Sequence, residues 1–168
     1  MKKFELTTNT KIVFGKKLFQ IKALVSFGNV EKGDLGGWIE KEENLSQDGN
    51  AWVSGNAEVS DNAWVSGNAR VSGNAEVSGN AEVYGNAEVY GNAWVSGNAD
   101  YATIKGFGTY NRNTTFFKCK DGKVRVICGC FYGDLDEFRK QVKATRTGKV
   151  AEEYLMIADL MEKHFKED

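Results

Sequence analysis

A six-residue motif, repeated without interruption, occupies the middle of the chain. From Asn50 to Gly97 the sequence consists of eight successive hexads of the form Asn-Ala-x-Val-(Ser/Tyr)-(Gly/Asp). An α-helix cannot accommodate this period, because its 3.6-residue repeat would distribute the valines around the whole circumference. A fixed short period decides the architecture of a repeat protein, so this motif constrains the fold more than any other feature of the sequence.

Each hexad has the pattern of a short extended segment followed by a corner. Ala and Val stand two positions apart and therefore lie on one face of the segment, whereas x and Ser/Tyr lie on the other. Gly-Asn supplies the corner, because both residues tolerate positive φ. Repetition of this unit predicts a mainly β protein built around a parallel solenoid, with Val and Ala inside and coils stacked at about 4.8 Å.

The hexads resemble the hexapeptide-repeat left-handed β-helix family, in which an aliphatic residue recurs at every sixth position and a small residue follows four places later. The valines from Val53 to Val95 match the aliphatic position, and the alanine of each following hexad matches the small one. The resemblance implies a left-handed coil with three hexads per turn. We assign residues 38–114 to this solenoid.

With three hexads per coil, residues 18 apart in sequence lie above one another on one outer face. We expect an exposed Trp52 to make a cation–π contact with Arg70, which also pairs with a glutamate. The other two faces stack like charges, which is mildly destabilising and is not what a purely structural role would select. The predicted stacks are Trp52, Arg70 and Glu88; Glu58, Glu76 and Trp94; and Trp64, Glu82 and Asp100.

Two interpretations of these faces remain open. The carboxylates either keep the solenoid soluble and block lateral sheet pairing, or they form a recognition surface with outward aromatic residues. Such a surface suits a basic groove on a protein partner. The candidate partner-binding residues are Trp52, Glu58, Trp64, Arg70, Glu76, Glu82, Tyr84, Glu88, Tyr90, Trp94 and Asp100.

The segment before the repeat predicts a cap for the open end of the solenoid. Residues 1–37 contain alternating apolar and polar runs separated by turn signals, as in a small antiparallel β unit. We expect Gly33 to Ile39 to form a tight turn that feeds the first coil. Without a cap, the end of a solenoid exposes its apolar interior and unpaired strand edges.

Residues 115–168 are predicted to form a second cap with a ββαα order. Its hairpin turns at Asp121-Gly122, with Lys120 opposite Lys123. Two amphipathic helices follow, the first of them capped by Asp134. This hairpin register places five side chains on one face: Phe117, Cys119, Val124, Val126 and Cys128.

The three cysteines and the single histidine do not predict a metal site. The hairpin register separates Cys119 from Cys128 by roughly 13 Å, too far to share a tetrahedral ion. An odd number of cysteines also argues against a disulfide framework, so we expect buried, reduced thiols and no metal or cofactor. His164 is expected to be exposed near the end of the last helix.

The histidine also bears on enzymatic activity. Many hexapeptide-repeat proteins are trimeric acyltransferases that use a histidine of the solenoid as general base, whereas no histidine precedes His164 here and no long loop interrupts the hexads. His164 would have to reach a neighbouring solenoid to act as a base. We therefore expect a protein without enzymatic activity and keep an acyltransferase as a remote alternative.

Two segments outside the hexads are similar to proteins encoded by bacteriophages and prophages. These are FGNVEKGDLGGWIEKEENLSQDG and FFKCKDGKVRVICGCFYGDLDEFRKQV, which flank the repeat. The resemblance implies a small accessory protein that acts by binding, a class that includes inhibitors of host defence machinery such as CRISPR nucleases. No apolar run approaches membrane-spanning length, so the expected location is the cytoplasm of the infected bacterium.

Charge leaves the binding mechanism open. Residues 50–103 contain six acids and one arginine, so the solenoid could imitate the charge of a nucleic acid and occupy the basic channel of a nuclease. Alternatively, the solenoid spaces its caps or forms a dimer or trimer, and the basic flanks contact nucleic acid or another protein. A structural component of the virion is a third class.

Overall fold

The computed structural model describes residues 1–166 of the 168-residue chain. The chain forms two compact units, Met1–Asn98 and Ala99–Asp168. The first unit contains the N-terminal strands and the solenoid, and the second contains a sheet and two helices.

Each hexad of the solenoid contributes one two-residue strand. The strands pair in parallel with the strand 18 residues later, as in Val53↔Val71↔Val89, so three hexads make one coil. The predicted parallel solenoid with three hexads per coil is confirmed. Its strands are β4 (Trp52–Val53), β5 (Glu58–Val59), β6 (Trp64–Val65), β7 (Arg70–Val71), β8 (Glu76–Val77), β9 (Glu82–Val83), β10 (Glu88–Val89) and β11 (Trp94–Val95).

The repeated letters of the hexad hold the coils together. The valines and alanines are no more than 1% exposed, so they form a continuous apolar interior. At the corners, asparagines bond to one another from coil to coil, as in Asn50 Nδ2 to Asn68 Oδ1 at 3.0 Å and Asn68 Nδ2 to Asn86 Oδ1 at 3.1 Å. The corner glycines adopt positive φ, as at Gly55 (63°).

A regular set of backbone hydrogen bonds between coils runs from the earlier coil to the later one. The N–H groups of one coil donate to the C=O groups of the next, as in Trp52 N to Ala69 O (3.0 Å) and Ser54 N to Val71 O (2.9 Å). The first coil therefore presents carbonyl oxygens that no preceding coil can satisfy. The N-terminal residues supply the missing donors.

The N-terminal cap consists of antiparallel strands, as predicted, and is joined to the solenoid. β1 (Phe4–Val13) pairs with β2 (Lys16–Ala23), and β2 pairs with β3 (Leu35–Ile39). β3 then pairs in parallel with β5, through Trp38↔Glu58 and Ile39↔Val59. A single six-stranded sheet thus runs from the cap along one face of the solenoid.

The segment Leu35–Ile39 corrects the prediction of a tight turn, because it is a strand of this sheet. Two consecutive glycines allow the strand to lie against the first coil. A Cβ added to Gly36 would stand 2.5 Å from Ile21 Cγ1, and one added to Gly37 would stand 2.7 Å from Ala57 O. The glycines therefore serve close packing here, and the turn signal they give is misleading.

Lys3 satisfies carbonyl groups of the first coil. Its side chain is buried, at 4% exposure, and Nζ donates to Ala51 O at 2.9 Å and more weakly to Asp48 O and Gly49 O at 3.4 and 3.5 Å. Burial lowers the pKa of Lys3 to about 8, with Asp48 acting in the opposite direction. An ammonium with three donors suits this position, where three carbonyl oxygens of the first coil converge.

The C-terminal unit contains four strands, which corrects the predicted ββαα order. β12 (Tyr101–Phe107), β13 (Arg112–Lys118), β14 (Val124–Cys128) and β15 (Phe131–Asp134) form an antiparallel sheet in that order. Residues 101–114, assigned to the solenoid from the sequence, belong to this sheet, because β12 pairs with β13. The last complete hexad ends at Gly97, and the first compact unit ends one residue later, at Asn98.

Two helices follow the sheet, α1 (Leu135–Thr145) and α2 (Gly148–Phe165). The predicted N-cap is confirmed, since Asp134 accepts a hydrogen bond from Glu137 N at 2.9 Å and Glu137 Oε2 accepts one from Asp134 N at 2.8 Å. The helices and one face of the sheet enclose a core that includes Phe116, Phe138 and Tyr154.

The predicted register of the β13–β14 hairpin is wrong by one residue. Lys118 pairs with Val124, and Gly122, at φ 74°, closes a three-residue loop through Gly122 N to Cys119 O at 2.9 Å. A type I turn followed by a left-handed glycine adds one residue to the loop relative to a two-residue turn. The shift places Phe116 with Val126 on the helix side, whereas Phe117 lies on the opposite face.

Candidate binding surface of the solenoid

The outer faces of the solenoid carry the predicted stacks with one exception. Trp52, Arg70 and Glu88 are in register, as are Glu58, Glu76 and Trp94, and Trp64 lies opposite Glu82. Asp100 does not continue the third stack. It lies in a short 3₁₀ turn, Asn98–Asp100, and its carboxylate pairs with Lys118 at 3.2 Å.

Trp52 is a core residue, which corrects its assignment to the recognition surface. Only 7% of it is exposed, and its ring packs edge-on against Phe27 at 5.4 Å and Phe4 at 6.5 Å. Within residues 1–166 it makes no cation–π contact with Arg70. The N-terminal cap covers the first coil at this point and takes the indole into its own apolar cluster.

Glu58, on the second face, is neutralised by the cap. Lys11 Nζ lies 2.6 Å from Glu58 Oε1 and also 4.7 Å from the centre of the Trp38 ring. The pair is mostly buried, so the expected repulsion between Glu58 and Glu76 is opposed by a close positive charge. The sequence contains these charges but no local pattern that brings residue 11 to residue 58.

A second cap lysine neutralises the corner residue Asp61. Lys16 Nζ stands 2.5 Å from Asp61 Oδ1, and Gly79 N donates to Asp61 Oδ2 at 3.1 Å. The hydrogen bond from Lys16, followed by the one from Gly79, holds the pKa of Asp61 below its usual value. Asp61 has a φ of 60°, which is uncommon for a residue other than glycine, and these two contacts compensate that conformation.

The third face carries the densest group of exposed aromatic side chains. Trp64 is 44% exposed and Tyr84 is 60% exposed. Since Trp64 pairs with Glu82, and Ser66 N donates to Val83 O, Tyr84 lies one coil above and two positions beyond Trp64 on the same outer side. We call Trp64 and Tyr84 the third-face aromatic pair. Glu82 is the register partner of Trp64 and precedes Tyr84 by two residues.

The other two faces each carry one exposed aromatic residue. Tyr90 follows Glu88 on the first face and is 46% exposed, and Trp94 lies above Glu76 on the second face and is 51% exposed. These two residues match the third-face aromatic pair in chemistry and exposure but differ in position. They therefore provide controls for experiments on that pair.

The cysteines and the histidine lie in the C-terminal unit. Cys119 is buried, and burial raises its pKa to about 11. Cys130 is exposed, which corrects the expectation that all three thiols are buried. His164 is exposed in the last turn of α2, as predicted. In residues 1–166, no group of three or more His, Cys, Asp or Glu side chains is arranged to hold a metal ion.

Comparisons with known proteins give no assignment for this chain. No family model matches the sequence, and a search of curated proteins gives no match. In the part of the chain that the structure describes, neither helix combines the length and the apolar character needed to cross a membrane.

Proposed function

We propose that this protein acts without enzymatic activity, by binding another protein through the third face of its solenoid. Its partner is a component of a bacterial defence system, such as a CRISPR nuclease, which it inhibits in the cytoplasm of a phage-infected cell. The observation that carries the binding surface is the exposed third-face aromatic pair, Trp64 and Tyr84.

The fold does not require aromatic residues at these positions. The outward position before valine is Arg70 or glutamate in five other hexads, and the outward position after valine is serine in six of the eight. All of these hexads form the same strand and corner. Trp64 and Tyr84 therefore add exposed apolar area that the solenoid does not need, and buried Trp and Tyr side chains dominate the energetics of protein interfaces.

Charge supports contact with a protein more than imitation of a nucleic acid. At least three of the six acids in residues 50–103 are in close ion pairs, since Glu58, Asp61 and Asp100 each contact a lysine. A surface that imitates a phosphate backbone needs a dense and uncompensated row of negative charge. A pair of exposed aromatic rings instead suits a groove with apolar pockets on a protein partner.

The class of partner comes from the similarity of both flanking segments to phage and prophage proteins. An accessory protein of this kind that lacks a catalytic constellation acts through what it binds. The acyltransferase alternative makes a separate prediction: acetyl transfer from acetyl-CoA that is lost in His164→Ala would contradict the non-enzymatic proposal.

The test compares two double variants with the wild type. The third-face variant is Trp64→Ser/Tyr84→Ser, and the control variant is Tyr90→Ser/Trp94→Ser. Each tagged protein is used to capture proteins from a phage-infected, CRISPR-bearing bacterium, and the captured proteins are quantified by mass spectrometry. Because truncation of a hot-spot aromatic residue costs about 2 kcal/mol or more, we expect the third-face variant to capture at least tenfold less of a defence protein. The control variant is expected to capture as much as the wild type.

Two results would contradict the proposal. Equal capture by both double variants would show that the third face is not the contact, and recovery of the protein only in purified virions would favour a structural role. With a purified partner, the salt dependence of the dissociation constant separates the mechanisms further. Charge imitation gives a steep linear dependence of log K on log salt, whereas an aromatic contact gives a shallow one.

A further inference from the structure

A small pocket opens in the C-terminal unit between the sheet and the helices. Its volume is about 90 Å³, and it is lined by residues of the strands, of the β12–β13 and β14–β15 turns and of both helices. Two arginines line it, Arg112 and Arg146, and among the described residues no carboxylate does. The remaining lining is aromatic, apolar or neutral and polar.

The two pocket arginines differ from the other arginines of the same unit. Arg125 pairs with Asp121 at 2.6 Å, and Arg139 contacts three carboxylates on α1 and α2 at 2.5 to 3.2 Å. Within residues 1–166, neither Arg112 nor Arg146 has a carboxylate within 4 Å. Arg146 donates only to the neighbouring Thr145 O at 3.0 Å, and Arg112 stacks on Tyr110 at 4.8 Å from the ring centre.

The fold places Arg112 over the turn between β14 and β15. A Cβ added to Gly129 would overlap the Arg112 guanidinium, so the glycine in Cys128-Gly129-Cys130 leaves the space that the guanidinium occupies. The guanidinium also makes a cation–π contact with Tyr110. Arg112 and Tyr110 are both exposed, so the guanidinium is accessible from solvent and has no counter-charge among the described residues.

Both arginines act on the hydroxyl group of Tyr154, which also lines the pocket. Burial raises the pKa of Tyr154 to about 12, and Arg112 and Arg146 both act in the opposite direction, which means that both guanidiniums lie near the phenol. The hydroxyl is already engaged: Thr114 donates to Cys128 Sγ at 3.2 Å, the thiol donates to Tyr154 Oη at 3.8 Å, and Tyr154 donates to Phe107 O at 3.3 Å. The guanidiniums are the charged groups that line the pocket.

The geometry points to a phosphate-binding site formed by Arg112 and Arg146. Guanidinium groups bind phosphate through paired, charge-assisted hydrogen bonds, and two of them that lie over one cavity without a carboxylate leave a positive charge that an oxyanion would neutralise. The volume is well below the roughly 300–1,000 Å³ of a site for a drug-sized ligand. The pocket therefore holds one phosphate group, either free or at the end of a phosphate monoester whose remainder lies outside.

The site is independent of the proposed partner-binding face, because all of its residues lie in the C-terminal unit. Its test is a calorimetric titration of the full-length protein with inorganic phosphate and with phenyl phosphate at constant ionic strength. The variants are Arg112→Gln and Arg146→Gln. Arg70→Gln, which removes the same charge from an exposed position in the other unit, is the control, and circular dichroism establishes that each variant is folded.

We expect saturable binding in the millimolar range or tighter, weakened at least tenfold in each pocket variant and unchanged in Arg70→Gln. Phenyl phosphate that binds more tightly than inorganic phosphate identifies a monoester as the ligand, and equal affinities identify free phosphate. Protection of the exposed Cys130 thiol from a small alkylating reagent by phosphate gives a second readout, since Cys130 lines the same pocket. Absence of saturable binding by both compounds, or equal binding by pocket and control variants, would overturn the proposal.

Discussion

Two corner glycines of the solenoid allow the contribution of coil stacking to be measured separately from the cost of the corner conformation. Gly49 and Gly85 both have a φ of 69°. A Cβ added to Gly49 would stand 2.5 Å from Gly67 O in the next coil, whereas one added to Gly85 would have no described atom within 4 Å. The substitutions Gly49→Ala and Gly85→Ala therefore share the strain of a left-handed alanine and differ in the contact with the next coil.

The expected magnitudes follow from this difference. A left-handed conformation costs an alanine about 1 kcal/mol, and this is the loss of unfolding free energy that we expect for Gly85→Ala. In Gly49→Ala the coils must also separate by nearly 1 Å at that corner, which strains the packing by about 1–3 kcal/mol. The hydrogen bond from Asn50 N to Gly67 O, now 2.8 Å, would be lost for about 1 kcal/mol more. We expect Gly49→Ala to lose about 2–4 kcal/mol more than Gly85→Ala.

Asp61 shows that a corner can carry a side chain when other contacts compensate for it. It occupies a corner at φ 60°, but its carboxylate accepts from Gly79 N and pairs with Lys16. Alanine offers neither contact. The precedent therefore does not reduce the penalty expected for Gly49→Ala.

The assay is urea unfolding followed by tryptophan fluorescence and by far-ultraviolet circular dichroism, with free energies from linear extrapolation. Both variants must first show the circular dichroism spectrum of the wild type. Losses that agree within about 0.5 kcal/mol would refute the reasoning, because the coils would then not be in contact at Gly49. A larger loss for Gly85→Ala would refute it as well.

Three further predictions concern the cap and use the same unfolding assay. Lys3 has a pKa of about 8 in the folded protein against an ordinary 10.5, so the unfolded chain binds more protons between these two pH values. The unfolding free energy of the wild type should therefore rise with pH across that window, by up to ~3 kcal/mol relative to Lys3→Met. A difference between the two proteins that is the same at pH 7 and pH 10 would contradict this. Trp52→Ala should cost about 3–5 kcal/mol because the indole is buried, whereas Trp94→Ala should cost less than about 1 kcal/mol; similar losses would contradict the placement of Trp52 in the core. A double-mutant cycle of Lys11→Met and Glu58→Gln should give a coupling of about 1 kcal/mol that decreases with salt, and no coupling at low salt would show that the pair contributes nothing.

The solenoid was predictable because its information is local and repeated. Each hexad specifies the same strand and corner, and the only arrangement that buries every Val and Ala is a coil of stacked hexads. The vertical stacks at 18-residue intervals then follow by counting. The prediction fails at Asp100 because the repeat has already ended there, although an acidic residue still occupies the expected position.

The structural predictions are wrong where the length of a loop by one residue, or one contact with a residue distant in sequence, decides the structure. The β13–β14 hairpin contains an Asp-Gly signal that both a two-residue turn and a three-residue loop can use, and the choice between them moves Phe117 to the other face of the sheet. The consecutive glycines before Trp38 indicate a turn by composition, yet they permit a strand to lie on the first coil. At both places the local amino-acid composition does not specify the packing that decides between the two structures.

The candidate surface depends even more on contacts that are distant in sequence. Trp52, Trp64 and Trp94 occupy the same position of the hexad, and nothing in the repeat distinguishes them. Phe4 and Phe27 bury the first, and Lys11 removes a charge from the second face. The cap thus covers an aromatic residue on the first face and neutralises Glu58 on the second, while two aromatic residues of the third face remain exposed. The flanks are basic and the repeat is acidic, which on its own indicates an external partner. Some of these opposite charges instead pair with each other within the chain. The binding proposal therefore depends on the aromatic residues and not on the carboxylates.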